Sequence, residues 1–483
     1  MLFNSYIYIF YFLPISFVAY FFLNSRRLVL PAKCWLVFCS LFFYGYWNVR
    51  FLPLILSSIL FNYAIGTILT KITAQKNLFS RKSVLYFGVA CNLLLLVYFK
   101  YADFFISNLI FVTGLQFTFL KVALPLGISF YTFTQIAYLV DCYRSEVKEC
   151  DLLNYGLFVT YFPHLIAGPI LHHKDLIPQF NRIQNKVLNH RNIATGLYIF
   201  SIGLFKKVII ADTFSVWANN GFDHSVTLTF FNAWITALSY SFQLYFDFSG
   251  YIDMAIGSSL LFNINLPINF YSPYKAQNIQ DFWRRWHITL SKFLRDYLYI
   301  PLGGNQRGEL RIYFNLLLTF LLGGLWHGAS WTFIFWGAFH GFAMVVHRLW
   351  VKANIKMSRM LAWFLTFNFV NMTWIFFRAK SWSDAGKVLR GMLGLNEISF
   401  LPTFASGLPF LNRFVAQFKD IEDLKKKMLF LILFGAVIFL AKNSVELQRD
   451  FKPNWKNAVF CLLLMAIGII SLTKVSEFIY FNF

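Results

Sequence analysis

The run LLGGLWHGAS, residues 321–330, sets one ionisable side chain, His327, among residues with almost no other polarity. From 312 to 347 the chain has no Lys, Arg, Asp or Glu. At ~1.5 Å per helical residue, such a segment can cross ~30 Å of hydrocarbon and turn back. An ionisable group at that depth marks a functional site facing the bundle interior or a wet cavity. Gly323, Gly324 and Gly328 lie beside it, and Gly324 and Gly328 are expected to open a path to the imidazole because they carry no Cβ.

Working outward, similar apolar runs recur near 3–23, 33–48, 52–70, 83–106, 120–140, 194–218, 228–247, 330–349, 359–377, 428–442 and 457–473. With 312–326 they predict an all-α, polytopic membrane protein of about 10–12 crossings, organised as a single domain over 1–483. Composition agrees: 13% of the 483 residues are charged and 58% are hydrophobic, whereas soluble globules carry about a quarter charged residues. The 43 Lys and Arg against 21 Asp and Glu are scattered between apolar spans, which points to loops and anionic lipid headgroups and away from nucleic acid. Arg26, Arg27 and Lys33, then Lys71, Lys76, Arg81 and Lys82, place the first and third loops in the cytoplasm by the positive-inside rule. No basic stretch precedes the first apolar run, which is expected to be retained as a span. The six cysteines lack CxxC spacing and read as free core thiols.

Two apolar stretches differ from plain spans. Residues 155–171 contain Pro163, Gly168 and Pro169 between basic loops, a pattern expected of a re-entrant segment whose irregular backbone lines protein or water. Residues 280–299 read as an interfacial amphipathic helix. Trp283, His287, Leu290, Leu294 and Tyr297 recur there at three- and four-residue steps, which puts His287 on the apolar face. The segment 378–427 is expected to form a surface hairpin that could dock a partner.

Two histidines placed this way suit acyl transfer to a hydroxyl, which needs a base, an oxyanion donor and the exclusion of water. His164, His172, His173, His190, His224, His340 and His347 are less suggestive by position. No HExxH or Cys/His ligand spacing predicts a metal, and no GxSxG, P-loop or GxGxxG motif is present. A transporter or flippase with a histidine proton relay is the reading from another class.

Seven ordered stretches carry a family resemblance: LPLGISFYTFTQIAYLVDCYR (124–144), YFPHLIAGPI (161–170), GLFKKVIIAD (203–212), YFDFSGYIDMAIG (245–257), FWRRWHITLSKFLRDYLYIPLGG (282–304), GLWHGASWTFIFWG (324–337) and WIFFRA (374–379). The chain resembles the membrane-bound O-acyltransferases, particularly the alginate O-acetyltransferase membrane subunits and their D-alanyl teichoic acid relatives. The resemblance implies a tunnel-enclosing fold in the bacterial cytoplasmic (inner) membrane, with His327 catalytic and His287 lining the same tunnel. It further implies that the chain transfers acetyl to an extracytoplasmic polysaccharide such as alginate. The donor would be acetyl-CoA or an acyl carrier thioester, with no tightly bound cofactor, and the partner a periplasmic acetyltransferase or polysaccharide-modifying protein. D-alanyl transfer to teichoic acid is the alternative within the same fold. Asp247, Asp253, Asn278, Arg285 and Trp326 are the expected tunnel or donor-contacting residues. FIYFNF (478–483) is similar to the C-terminal pattern of alginate-type subunits, which makes Tyr480 a candidate phenolic nucleophile.

Overall fold

The computed structural model describes residues 1–71, 80–147, 151–395, 410–473 and 479, with 410–421 and 473 as backbone only. The described residues form helices and turns, with no strand among them. The chain opens with α1 (Leu13–Ser25), α2 (Val29–Gly45), α3 (Leu52–Lys71), α4 (Arg81–Leu96) and α5 (Ala102–Thr113). A π-helical turn, Val97–Tyr101, joins α4 to α5 without a break in the apolar rod. Next come α6 (Ile128–Tyr143), α7 (Leu152–Thr160), α8 (His173–Asn181), α9 (His190–Phe205), α10 (Asp212–Asn219) and the 32-residue α11 (Phe230–Leu261). The second half holds α12 (Ile279–Arg285), α13 (Ile288–Leu294), α14 (Glu309–His327), α15 (Trp331–Lys352) and α16 (Arg359–Arg378). It closes with α17 (Trp382–Met392), α18 (Phe410–Leu440), α19 (Ser444–Arg449) and α20 (Trp455–Ile470).

Among the described residues, six helical rods are long and apolar enough to cross a membrane: Tyr8–Ser25, Val49–Lys71, Arg81–Thr113, His190–His224, Glu309–His327 and Arg359–Arg378. Two more apolar helices, Val29–Gly45 and Trp455–Ile470, are shorter. The count is below the number of apolar runs because some runs become interior helices, which other helices cover instead of lipid. From Ala233 onward almost every residue of α11 is buried, and α6 is buried along nearly its whole length. The run at 120–140 becomes a helix only from Ile128, after Pro125 and a left-handed Gly127 (φ +69°).

Close helix crossings need residues without a Cβ. At the α9–α11 crossing, a Cβ on Gly203 would stand 2.6 Å from the Gly250 carbonyl oxygen. Gly203→Ala is therefore expected to cost about 1–3 kcal/mol through overpacking. Gly386→Ala, whose added methyl meets nothing within 4 Å, is expected to be neutral. The monodisperse fraction after detergent extraction and its melting temperature check both.

Residues 155–171 are continuously buried but too short to cross, being one turn-and-a-half of α7 followed by irregular backbone. Protein groups satisfy that backbone, as membrane depth requires. Phe162 N donates to Ser40 Oγ (3.1 Å) and Ile170 N to Thr289 Oγ1 (3.0 Å). The turn of the expected hairpin at 378–427 falls on residues 396–409, which lie outside the described residues. Its described parts are α17, packed on α11 and α16, and the first half of the long helix α18.

Candidate active site

His327 is the last residue of α14 and is buried. The chain turns after it because Gly328 is extended (φ −165°, ψ 152°), and Ser330 then caps α15 by accepting from Thr332 N. The imidazole stands among aromatic rings, with centroids 4.9 Å from Trp326, 5.2 Å from Trp336 and 5.1 Å from Phe377.

His287 reaches the same cluster by an unexpected route. The continuous helix expected over 280–299 is broken: Trp286 is extended and His287 adopts a left-handed conformation (φ 43°, ψ 54°), separating α12 from α13. A left-handed non-glycine residue is held only where its surroundings over-determine it, and such sites cluster at functional centres. Here the clamp is Asn269 and Tyr271. Ile288 N donates to Asn269 O, Thr289 N and Oγ1 donate to Asn269 Oδ1, and Tyr271 N donates to Arg285 O. His287 is fully buried, with ring centroids 4.9 Å from Phe248 and 6.2 Å from Trp326. Trp326 thus neighbours both imidazoles.

His327 lines two cavities. The larger, about 700 Å³, runs beside α14 from Asn305, Arg348 and Lys352 near its Glu309 end to His327 at its other end. Its mouth is cationic and its far wall is apolar, formed by Trp283, Leu316, Phe320 and Trp336. Glu309 pairs with Arg348 and Lys352, and Asp296 pairs with Arg295. Arg284 and Lys292 at the mouth have no carboxylate partner among the described residues. The second cavity, about 70 Å³, is lined by Trp47, Lys100, Ser129, Phe130, Trp326 and His327. A third space of about 750 Å³, lined by Lys207, Asp212, Arg378 and Ile479, also has Phe333 and Phe377 in its wall. Phe377 is the ring that touches His327 from that side.

The remaining expected site residues divide. Asp247 and Asp253 belong to buried ion pairs: Lys207 Nζ stands 2.6 Å from Asp247 and 3.1 Å from Asp212, and Lys206 Nζ is 2.7 Å from Asp253. Asp247 Oδ2 also accepts the backbone N–H of Ile479 at 3.0 Å. The neighbour of Ile479, Tyr480, lies outside the described residues. Asn278 caps α12 by accepting from Asp281 N (2.7 Å), and Arg285 is paired with Asp281 (2.8 Å); neither lines the large cavity, whereas Arg284 does. Gly324 and Gly328 are not openings. A Cβ on Gly324 would sit 2.3 Å from the Phe333 carbonyl oxygen, and one on Gly328 would sit 2.2 Å from the Phe333 ring, so both are packing seams. Gly323, whose Cβ would meet only Leu294, is the one of the three that lines the large cavity.

His340 is held by structure: Trp283 Nε1 donates to its Nδ1 (3.2 Å), so its Nε2–H donates to Thr373 Oγ1 (3.0 Å). His164 Nε2 donates to the carbonyl of Phe158 (2.9 Å). His172 joins Asp141 and Tyr297, whose hydroxyl is 2.7 Å from Asp141 Oδ1 and 2.9 Å from His172 Nδ1. Burial and the Asp141 carboxylate push the Tyr297 phenol well above its ordinary value, so it stays a proton donor, tying the turn after α13 to α6. Sequence reasoning missed this cluster, the Lys206 and Lys207 partners, and Lys100. For Lys100 the signal is a cation inside the expected span 83–106.

Residues 41–381 match the membrane-bound O-acyltransferase family. The chain is 48% identical to a peptidoglycan O-acetyltransferase of Helicobacter pylori, over 100% of this chain and 98% of that one. It is 38% identical to a probable alginate O-acetylase of Pseudomonas putida over 100% of both. A teichoic acid D-alanyltransferase of Bacillus subtilis is 29% identical over 53% of this chain and 69% of its own length.

Proposed function

The chain belongs to the membrane-bound O-acyltransferase family, and from that premise we propose that it moves an acetyl group from a cytoplasmic thioester to an extracytoplasmic cell-wall glycan. The observation that carries this reading is that His327 lines both the large cationic-mouthed cavity and the small one beyond it. A thioester donor whose carrier bears phosphates suits that mouth, where Arg284 and Lys292 are uncommitted, and its pantetheine-like arm suits the apolar wall. Acetyl-CoA and an acetylated carrier protein share this chemistry. His327 takes the proton of the attacking hydroxyl. The hydroxyl oxygen bonds to the thioester carbonyl carbon, the C–S bond breaks, and the thiolate leaves and is reprotonated. His287 orients or polarises the carbonyl, with Trp326 beside both histidines.

Tyr480 is proposed as the first acceptor, relaying the acetyl group to a periplasmic partner or directly to the glycan. Support comes from its neighbour Ile479, bonded to Asp247 in the space that Phe377 divides from His327. Among glycans, peptidoglycan is favoured by the full-length likeness to a peptidoglycan O-acetyltransferase. D-alanyl transfer has less support, since the D-alanyltransferase matches only 53% of this chain. The protein would act in the bacterial cytoplasmic membrane, with the exposed face of α17 as a docking surface for the partner.

Purified protein in liposomes, supplied on one side with acetyl-labelled CoA or with an acetylated carrier, tests the reading. The expected result is a hydroxylamine-sensitive acetyl adduct on the C-terminal peptide that is lost in Tyr480→Phe. Transmembrane movement of an intact substrate, with no transfer of label from the thioester, would support a transporter and sink the proposal.

A further inference from the structure

The end of α14 presents a hydrogen-bonding problem whose solution involves an unassigned residue. The last four carbonyls of an α-helix have no helical N–H partner, and at membrane depth each must find another donor. In α14 these belong to Gly324, Leu325, Trp326 and His327. Gly328 N reaches back to Gly324 O at 3.4 Å. Tyr101 OH donates to Leu325 O at 2.7 Å. Lys100 Nζ donates to Trp326 O at 2.6 Å and to His327 O at 3.1 Å. Two adjacent side chains therefore serve the three carbonyls left over. Both come from the π-helical turn Val97–Tyr101, and such single turns recur at functional sites.

A neutral donor could satisfy those carbonyls without bringing a charge into an apolar span, where a cation is costly unless compensated. Lys100 has no carboxylate partner among the described residues. Its charge is met by the negative end of the α14 dipole and by the Trp326 ring, whose centroid is 5.9 Å from Nζ. Lys100 also lines the small cavity beside His327. The cation thus stands against the backbone of the two residues, Trp326 and His327, whose side chains form the centre of the site.

We propose that Lys100 is a positioning residue for acyl transfer: its ammonium group clamps the end of α14 and so fixes the aim of His327 and Trp326. This rests on the reading of His327 as the base. Loss of the clamp leaves the donor cavity intact, because Lys100 does not line it, but lets the imidazole drift from its reacting geometry.

The test compares Lys100→Met, which keeps the stem and removes charge and donors, with Lys100→Arg, which keeps both, and with Tyr101→Phe, in liposomes supplied with labelled acetyl-CoA. Lys100→Met is expected to lose turnover by about 10²-fold, the scale of an ~1 Å misplacement. With rates normalised to folded protein, KM for the donor should stay near wild type while the melting temperature falls, because two carbonyls lose their donor. Lys100→Arg should recover most of the turnover, and Tyr101→Phe should lose little. Wild-type turnover in Lys100→Met overturns the proposal. So does parallel loss of turnover and folded protein in Lys100→Met and Lys100→Arg alike, the pattern of a merely structural lysine. A His327→Ala control separates the two readings. If it stays active, the base reading fails and this proposal with it; if it is inactive while Lys100→Met turns over normally, this proposal alone fails.

Discussion

Replacing His327 by alanine is expected to lower acetyl transfer by roughly 10²- to 10⁴-fold, the contribution of a positioned general base, while leaving membrane insertion and donor binding near wild type. The expectation follows from placement. His327 is the ionisable residue shared by the cavity that reaches the Glu309 end of α14 and the cavity lined by Lys100. Removing its ring opens space between Trp326, Trp336 and Phe377, while the last three carbonyls of α14 keep their donors, Lys100 and Tyr101. His340→Ala is the informative contrast. It strips partners from Trp283 and Thr373, so it should lower thermal stability while the surviving folded protein keeps its specific activity. Rates normalised to folded protein, with both variants assayed together, check the pair. A His327→Ala enzyme that still transfers acetyl at near the wild-type rate would remove the central assignment.

How far the sequence announces this site varies residue by residue. The apolar run at 312–347 is long, free of charge and broken at its middle by the glycine-flanked His327, with His340 and His347 nearer its far end, so both the helical hairpin of α14 and α15 and the position of His327 at its turn are legible from it. His287 is legible as buried but not as kinked. The spacing 283, 287, 290, 294, 297 fits an unbroken helix equally well, and the break is imposed by Asn269, Tyr271 and Ile170, which are distant in sequence. Asp247 and Asp253 stand out as acids in an apolar helix, yet nothing near them in the chain reveals that Lys206 and Lys207, some forty residues earlier, neutralise them. Gly324 and Gly328 illustrate another ambiguity. Access for a substrate and close approach of a second helix both require a missing Cβ, and only the packing of Phe333 shows that the latter applies.

Lys207→Met carries the largest expected effect on stability. It leaves Asp247 and Asp212 without their shared cation in a buried, low-dielectric setting, and breaking such a pair from one side costs about 3–5 kcal/mol. Lys207→Met/Asp247→Leu removes both main partners together and should regain much of the loss, because the penalty comes from an uncompensated charge more than from a missing attraction. The double variant nonetheless lacks the carboxylate oxygen that accepts Ile479 N. Stability and relay should therefore separate: the double variant is expected to melt near wild type but form little C-terminal acetyl adduct. Asp247→Asn should retain part of the adduct, since its amide oxygen can still accept that N–H. Thermal melts in detergent, set beside mass spectrometry of the C-terminal peptide, check both halves. Full adduct in the double variant would mean that Asp247 does not seat the tail and that Tyr480 needs no such anchor to react.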